Sequence, residues 1–143
     1  MADSGSASIT IDANEEKVLD VINDVESLPE RIDAFKQAEV LERDGEGRPK
    51  RAEFEVDARI KVIHYVLEYS YSSNSVSWKM IDGDVNEITG SYVLEPAGET
   101  TKVTYSYSID AGFPVPGFLR KQGVKLMVDG ALKDLKKTTE SRA

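Results

Sequence analysis

The chain contains no cysteine. Disulfides, thiolate nucleophiles and thiolate metal sites are excluded with it. Histidine is nearly as scarce, with His64 the only one. A lone imidazole is a poor start for a catalytic triad, and no G-x-S-x-G stretch accompanies it. With scattered carboxylates it does not make a metal set either, so no metal is expected. A phosphate-cradling glycine loop is also missing: "GFPVPG" lacks the lysine and the spacing, and no cofactor is expected. No apolar run approaches the ~20 residues of a membrane helix, so no stable membrane insertion is expected. The opening "MADSGSAS" has an acidic residue and no positively charged region. It reads as no signal peptide, and a cytoplasmic location is expected.

Positive charge is also short. Eighteen Lys and Arg face 26 Asp and Glu, for a net charge of −8. From Gly117 onward seven basic residues meet three acidic ones, giving +4, so Met1 to Pro116 carries −12. Such an acidic body does not steer toward nucleic acid. The basic tail reads as a solvated lysine face of a helix, suited to the negative end of the helix dipole.

What is present is a run of strands. At 143 residues and 40% hydrophobic content the chain suits a single domain spanning 1–143, with an ordered core of about 6–140. Ser6 to Ile11 reads as a short strand. Asp12 and Glu15 have the form of a capping box. Val18, Val21, Ile22 and Val25 follow at helical spacing, placing a helix over roughly Ala13 to Asp24. "VESLPERIDAF" holds a second short helix, and Phe35 to Arg43 a strand. After the turn "RDGEGRP", Ala52, Phe54, Val56 and Ala58 alternate with Arg51, Glu53, Glu55, Asp57 and Arg59. The phase then slips with no Gly or Pro to make a turn, which predicts a bend or bulge near Ala58 to Lys61. Ile63, Tyr65, Leu67, Tyr69 and Tyr71 set the next inward face. Val76, Trp78 and Met80, then Ile88, Gly90, Tyr92 and Leu94, then Val103, Tyr105, Tyr107 and Ile109 continue the pattern. Val124, Met127, Val128, Ala131 and Leu135 make one stripe of a last helix of about 20 residues.

Strands joined by short turns demand an antiparallel sheet, and the long helix has the stripe to cover it. The fold class is α+β: six or seven antiparallel strands wrapped around a long C-terminal helix, with two short helices after the first strand.

All six tyrosines and Trp78 fall in phase with apolar neighbours. A tyrosine facing inward must find a partner for its hydroxyl, or water. Two readings are open. The rings fill a plain core with hydroxyls reaching the rim, since aromatic residues favour strands. Alternatively they wall a hollow for a small molecule. Gly123 and Gly130, on nearly one side of the helix, fit either room for a ligand or close packing on a strand. The carboxylates Glu53, Glu55, Asp57, Glu68 and Glu87 fall in the outward phase, so no acid–base pair faces inward. Asp110 and Arg120 flank the "GFPVPG" loop and read as solvated loop charges.

"ITIDANEEKVLDVINDVESLPE" resembles the opening of the START-like superfamily, the helix-grip proteins. "YVLEYSY", "VSWKM", "GSYVLEP", "TTKVTYSYSID" and "FPVPGFLRK…ALKDLKK" look like its bacterial polyketide cyclase/dehydrase or lipid-transport branch. The likeness spans roughly Ser6 to Glu140. It implies a hydrophobic cavity between sheet and C-terminal helix. Trp78, Tyr92, Tyr105 and Tyr107 would stand on the sheet wall, Met127 on the helix wall, and "AGFPVPGF" at an entrance. With the inward pattern, the expected cavity residues are Phe54, Val56, Tyr65, Leu67, Tyr69, Trp78, Met80, Tyr92, Tyr105, Tyr107, Phe113, Leu119 and Met127. The expected partner is a hydrophobic small molecule: a lipid, isoprenoid or aromatic polyketide. Two alternatives stand beside it. One is a cyclase or dehydratase using the cavity tyrosines. The other is a protein-interaction module using the acidic face at Glu53 and Glu55.

Overall fold

The computed structural model describes residues 3–58 and 61–142; of Phe118, Leu119 and Lys121 only the backbone is described. In chain order the elements are β1 (Asp3–Ile11), α1 (Glu15–Asn23), a 3₁₀ turn (Val25–Ser27), α2 (Leu28–Arg31), β2 (Phe35–Arg43), β3 (Pro49–Asp57), β4 (Val62–Tyr71), β5 (Ser75–Gly83), β6 (Glu87–Ala97), β7 (Thr100–Asp110) and α3 (Gly117–Arg142). The strands form one seven-stranded sheet in the order β1-β7-β6-β5-β4-β3-β2. Every pairing is antiparallel. From β2 to β7 the chain is a meander of hairpins, and β1 closes the far side against β7. This is the expected α+β arrangement.

The sequence differs from its structure at three places. Asn14, not Asp12, caps α1: its side chain accepts the Lys17 amide proton at 2.9 Å. The Asp12 amide instead donates to Glu140 Oε2 at 2.9 Å, tying the start of α1 to the end of α3. The phase slip between β3 and β4 is a chain reversal, not a bulge. The Ala58 amide donates to the Lys61 carbonyl at 2.9 Å, and the flanking strands pair antiparallel. Residues 59 and 60 of that turn lie outside the described residues. Gly123 and Gly130 are exposed, and a β-carbon on either would touch nothing. Neither ligand room nor strand packing explains them, and nothing else in the structure does.

Alternation decides which side of the sheet faces the helices. On the inner side, α3 lies over β1 and β7 and against α1. Val124, Val128, Leu132 and Leu135 of α3 join Ile11, Val18, Val21, Leu94, Val103 and Tyr105 in one buried cluster. A second cluster sits over the β3–β4 half. It contains Ala52, Phe54, Ile63, Tyr65 and Leu67, roofed by Val25 and Leu28 from the short helices. Trp78, Tyr107 and Ile109 pack against both clusters and stand between them.

The outer side is divided. Glu53, Glu55 and Glu68 mark the β3–β4 half, with Arg51 reaching Glu68 at 3.5 Å and His64 Nε2 reaching Glu53 at 3.1 Å. On the other half, Ser6, Ser106, Ser91, Ser77 and Ser70 stand in register in one row across five strands. Small hydroxyl side chains suit a face that nothing covers: they hydrogen-bond across strands, as Ser6 does with Ser106 (3.1 Å) and Ser8 with Thr104 (2.8 Å).

Candidate functional site, an aromatic inner wall

The inner face of β4 to β7 carries a sheet of aromatic rings. Register explains the arrangement. Tyr69, Trp78, Gly90, Tyr107 and Gly5 form one row; Tyr71, Val76, Tyr92, Tyr105 and Ala7 form the next. In the first row a glycine stands on either side of Tyr107, and Gly90 separates it from Trp78. A β-carbon on Gly90 would lie 2.6 Å from Trp78 Cε2, Cζ2 and Nε1, so the indole rests on bare backbone there. A β-carbon on Gly5 would meet Val124 Cγ1 at 2.9 Å, so that glycine admits α3 close to β1.

The rings touch. Tyr92 and Tyr105 stack with centroids 4.5 Å apart at 15°. Trp78 lies 5.4 Å from Tyr92, 5.8 Å from Tyr105 and 6.0 Å from Tyr69, each tilted. Tyr105 and Tyr107 are 6.3 Å apart. On the other half, Phe54 stacks on Tyr65 at 5.5 Å and meets Phe35 edge-on at 5.8 Å. Ring pairs in such geometries stabilise one another beyond the area they bury.

The hydroxyls behave differently. Tyr71 donates to the Pro49 carbonyl, under the Arg48 guanidinium that sits 4.2 Å over its ring. The hydroxyls of Tyr65, Tyr69, Tyr92, Tyr105 and Tyr107 make no hydrogen bond to any described residue. Burial pushes all five phenols above their ordinary value of 10.0. Yet none is sealed. Among the described residues the only side-chain polar atoms both sealed and unpartnered are Arg31 Nε and Thr139 Oγ1. These five hydroxyls thus have no hydrogen-bond partner among the described residues and are not fully sealed.

The expected residues fall as follows. Phe54, Tyr65, Leu67 and Tyr105 are buried within the two clusters. Val56, Tyr69, Trp78, Met80, Tyr92, Tyr107 and Phe113 are half-buried and pack against them. Met127 is half-buried on α3 and belongs to neither cluster among the described residues. The side chain of Leu119 lies outside the described residues. Gly90, in the inward phase of β6, seats the Trp78 indole, a role for which a glycine inside a strand pattern is the available signal. Phe35 of β2 adds a ring against Phe54 that the sequence pattern does not mark.

At one end of the wall stand charges the sequence pattern did not reveal. Arg31 of α2 donates from its NH1 nitrogen to Asp134 Oδ2 of α3 at 2.9 Å, and both side chains are mostly buried (12% and 16% exposed). The pair acts on the Tyr92 phenol with opposite signs. No sequence signal joins residues so far apart. At the other end three turns meet. Lys61 Nζ lies 5.0 Å over the Phe113 ring, a cation held on an aromatic face. The Asn86 side chain packs where a Gly112 β-carbon would stand, and Gly112 has a φ of +75° that favours glycine. Arg120 is not a solvated loop charge: its Nε donates to Asp3 Oδ2 at 2.7 Å. Asp110 accepts the Gly112 amide proton at 3.2 Å.

Two concavities open on the outside of the molecule. One, of about 280 Å³, lies between α1 and the β2–β3 turn and is lined by charged groups such as Asp20, Glu26, Arg43 and Arg48. The other, of about 500 Å³, lies over the serine row. Tyr107 lines the second; Tyr65, Tyr69, Tyr92 and Tyr105 line neither. No group of three or more potential metal-ligating side chains occurs among the described residues. No helix there is long and apolar enough to cross a membrane.

Residues 3–140 match the family described as polyketide cyclase / dehydrase and lipid transport, and the chain belongs to that family. Among solved structures it is similar to a START superfamily protein from Mycobacterium smegmatis, with a TM-score of 0.87, 19% identity and 99% of each chain covered. It is also similar to the Zhui aromatase/cyclase from Streptomyces sp. R1128, with a TM-score of 0.78 at 14% identity, covering 99% of this chain and 96% of that one. A STAR-related lipid transfer protein from Xanthomonas axonopodis follows the same path with a TM-score of 0.74 at 15% identity, covering 96% and 85%. At such identities these likenesses establish a shared fold. No protein of curated function matches the chain.

Proposed function

We propose that the protein binds a hydrophobic small molecule (a lipid, an isoprenoid or an aromatic polyketide) between the inner face of β4–β7 and α3. One observation carries this reading: the hydroxyls of Tyr65, Tyr69, Tyr92, Tyr105 and Tyr107 are deep, open and unpartnered. Buried polar groups are normally satisfied, so their partners are water or a ligand. Trp78, Met80 and Met127 supply the apolar contact, at about 25 cal/mol for each Å² of ligand surface removed from water. In this reading the end where Lys61 lies 5.0 Å over the Phe113 ring serves as the entrance side.

The test is native mass spectrometry of freshly purified protein, with organic extraction. A reproducible adduct lost on unfolding supports the reading, and Trp78→Ala or Tyr107→Ala then weakens rebinding. A clean unliganded mass, with Trp78 emission unmoved by lipids and aromatic polyketides, sinks it and turns attention to the acidic face at Glu53 and Glu55.

Binding is favoured over catalysis by the absence of an inward base among the described residues. His64 is exposed on the outer side, 3.1 Å from Glu53. The tyrosines, held protonated by burial, can donate hydrogen bonds but do not take protons near neutrality. A cyclase or dehydratase role would use those donors to orient carbonyls. Tyr→Phe replacement would then abolish turnover while leaving binding in place.

A further inference from the structure

We infer that the bound molecule is uncharged and oxygen-bearing, and that the wall selects against a carboxylate on the same skeleton. This rests on the binding reading above and deepens it.

The charge-free character of the wall comes from strand phase. On β3 to β7 the charges Glu53, Glu55, Glu68, Lys79 and Lys102 occupy the outward phase. No buried or half-buried inward position of those strands carries one. The inward stripe of α3 is Val124, Val128, Leu132 and Leu135, with Thr139 beyond them. Among the described residues one charged pair reaches this space from the helical side: Arg31 NH1 is held by Asp134 at 2.9 Å, which offsets its charge, and its unpartnered Nε is sealed from contact. Among the described residues the one other cation near this space, Lys61, lies over the Phe113 ring at the rim. A carboxylate buried against the tyrosines meets no unpaired cation among the described residues there, and an unpaired charge away from water is strongly opposed.

What the wall does offer is neutral hydrogen bonding. Each tyrosine hydroxyl donates one proton and accepts at its oxygen. Burial keeps the phenols protonated well beyond neutral pH, so they remain donors. Tyr92 and Tyr105, stacked at 4.5 Å, carry their hydroxyls on neighbouring strands, directly opposite in register. A carbonyl, ester, quinone or phenol oxygen satisfies such groups without bringing charge. A bare hydrocarbon leaves them unmet, and unmet polar groups discriminate strongly between otherwise similar ligands.

The experiment uses three probes sharing one bicycle: methyl 2-naphthoate, 2-naphthoate and 2-ethylnaphthalene. Each is titrated into ligand-stripped protein at pH 8 by calorimetry and by Trp78 emission. The ester is expected to bind at least tenfold more tightly than the carboxylate. Replacing Tyr105 and Tyr107 together by Phe is expected to weaken the ester several-fold and leave the hydrocarbon unchanged. Equal or tighter binding of the carboxylate overturns the charge selection while the binding reading survives. An ester affinity indifferent to the Tyr→Phe replacements overturns the hydroxyl contact. Binding of none of the three overturns the cavity, and the selectivity falls with it.

Discussion

The indole of Trp78 rests on the backbone of Gly90, with three ring atoms 2.6 Å from where a β-carbon would stand. The two residues are directly paired across β5 and β6. Alanine at position 90 therefore cannot be added without moving the ring. The ring is itself hemmed by Tyr69, Tyr92 and Tyr105. Gly90→Ala is expected to destabilise the fold by about 1–3 kcal/mol, the usual cost of overpacking. Urea denaturation measures this, and Trp78 emission reports the ring's displacement. A variant with wild-type stability and emission would show that the indole does not occupy this place in solution.

The Arg31–Asp134 pair gives a second test. Both side chains are mostly withdrawn from water, and Arg31 Nε has no partner. Removing one member of such a pair strands the other. Arg31→Met or Asp134→Asn alone is expected to cost about 3–5 kcal/mol. The double replacement Arg31→Met with Asp134→Leu should recover most of that. A double-mutant cycle from denaturation curves checks it, and strictly additive losses would mean the pair is not coupled.

Alkaline pH tests the tyrosines. All six have phenols raised above 10.0, burial being the largest cause for each. A raised native value means that the neutral phenol is favoured in the folded state. Their stabilising contribution is full below pH 10.0, the unfolded value, and is lost as pH rises beyond it. Phenolate absorbance should therefore stay flat through that pH and appear together with unfolding. Six phenols titrating smoothly near their ordinary value, with the fold intact, would contradict their burial.

At the acid end Glu140 matters. The Lys136 ammonium, bonded to it at 2.8 Å, and the Asp12 amide hold its carboxyl below the usual value of 4.5. A lowered native value stabilises the fold above the unfolded pKa and is lost as pH falls through the native one. Glu140→Gln should lower stability near neutrality and shrink the loss between neutral pH and acid. Parallel stability curves for the two proteins would show no such linkage.

Much of this was legible in the strands. Tyr65, Tyr69, Tyr92, Tyr105 and Tyr107 could be placed inward because charged or small polar residues alternate with them, and a period of two leaves no freedom. The reversal at Ala58 to Lys61 was hidden because no glycine or proline marks it. Asp12 and Glu15 imitate a capping box, which conceals Asn14 as the cap. The seat of Trp78 on Gly90 and the Arg31–Asp134 pair depend on neighbours across the sheet or far along the chain. Local sequence carries no term for either. The openness of the tyrosine hydroxyls is of the same kind: periodicity says where a ring points, not whether anything meets it.

The far-side pairing of β1 bears on how the molecule comes together. From β2 to β7 each strand meets its predecessor through a short turn, so those contacts close small loops. Asp3 pairs with Ile109, and α3 then lies across β1. Closing so long a loop costs chain entropy before any contact repays it, and such pairings slow folding. On these grounds the meander is expected to assemble first, with the amino-terminal strand and the last helix docking together afterwards. Pulsed hydrogen exchange during refolding should find the amides of β4 to β6 protected before those of β1. If the protein binds a small molecule as proposed, that last docking step is the one that would enclose it.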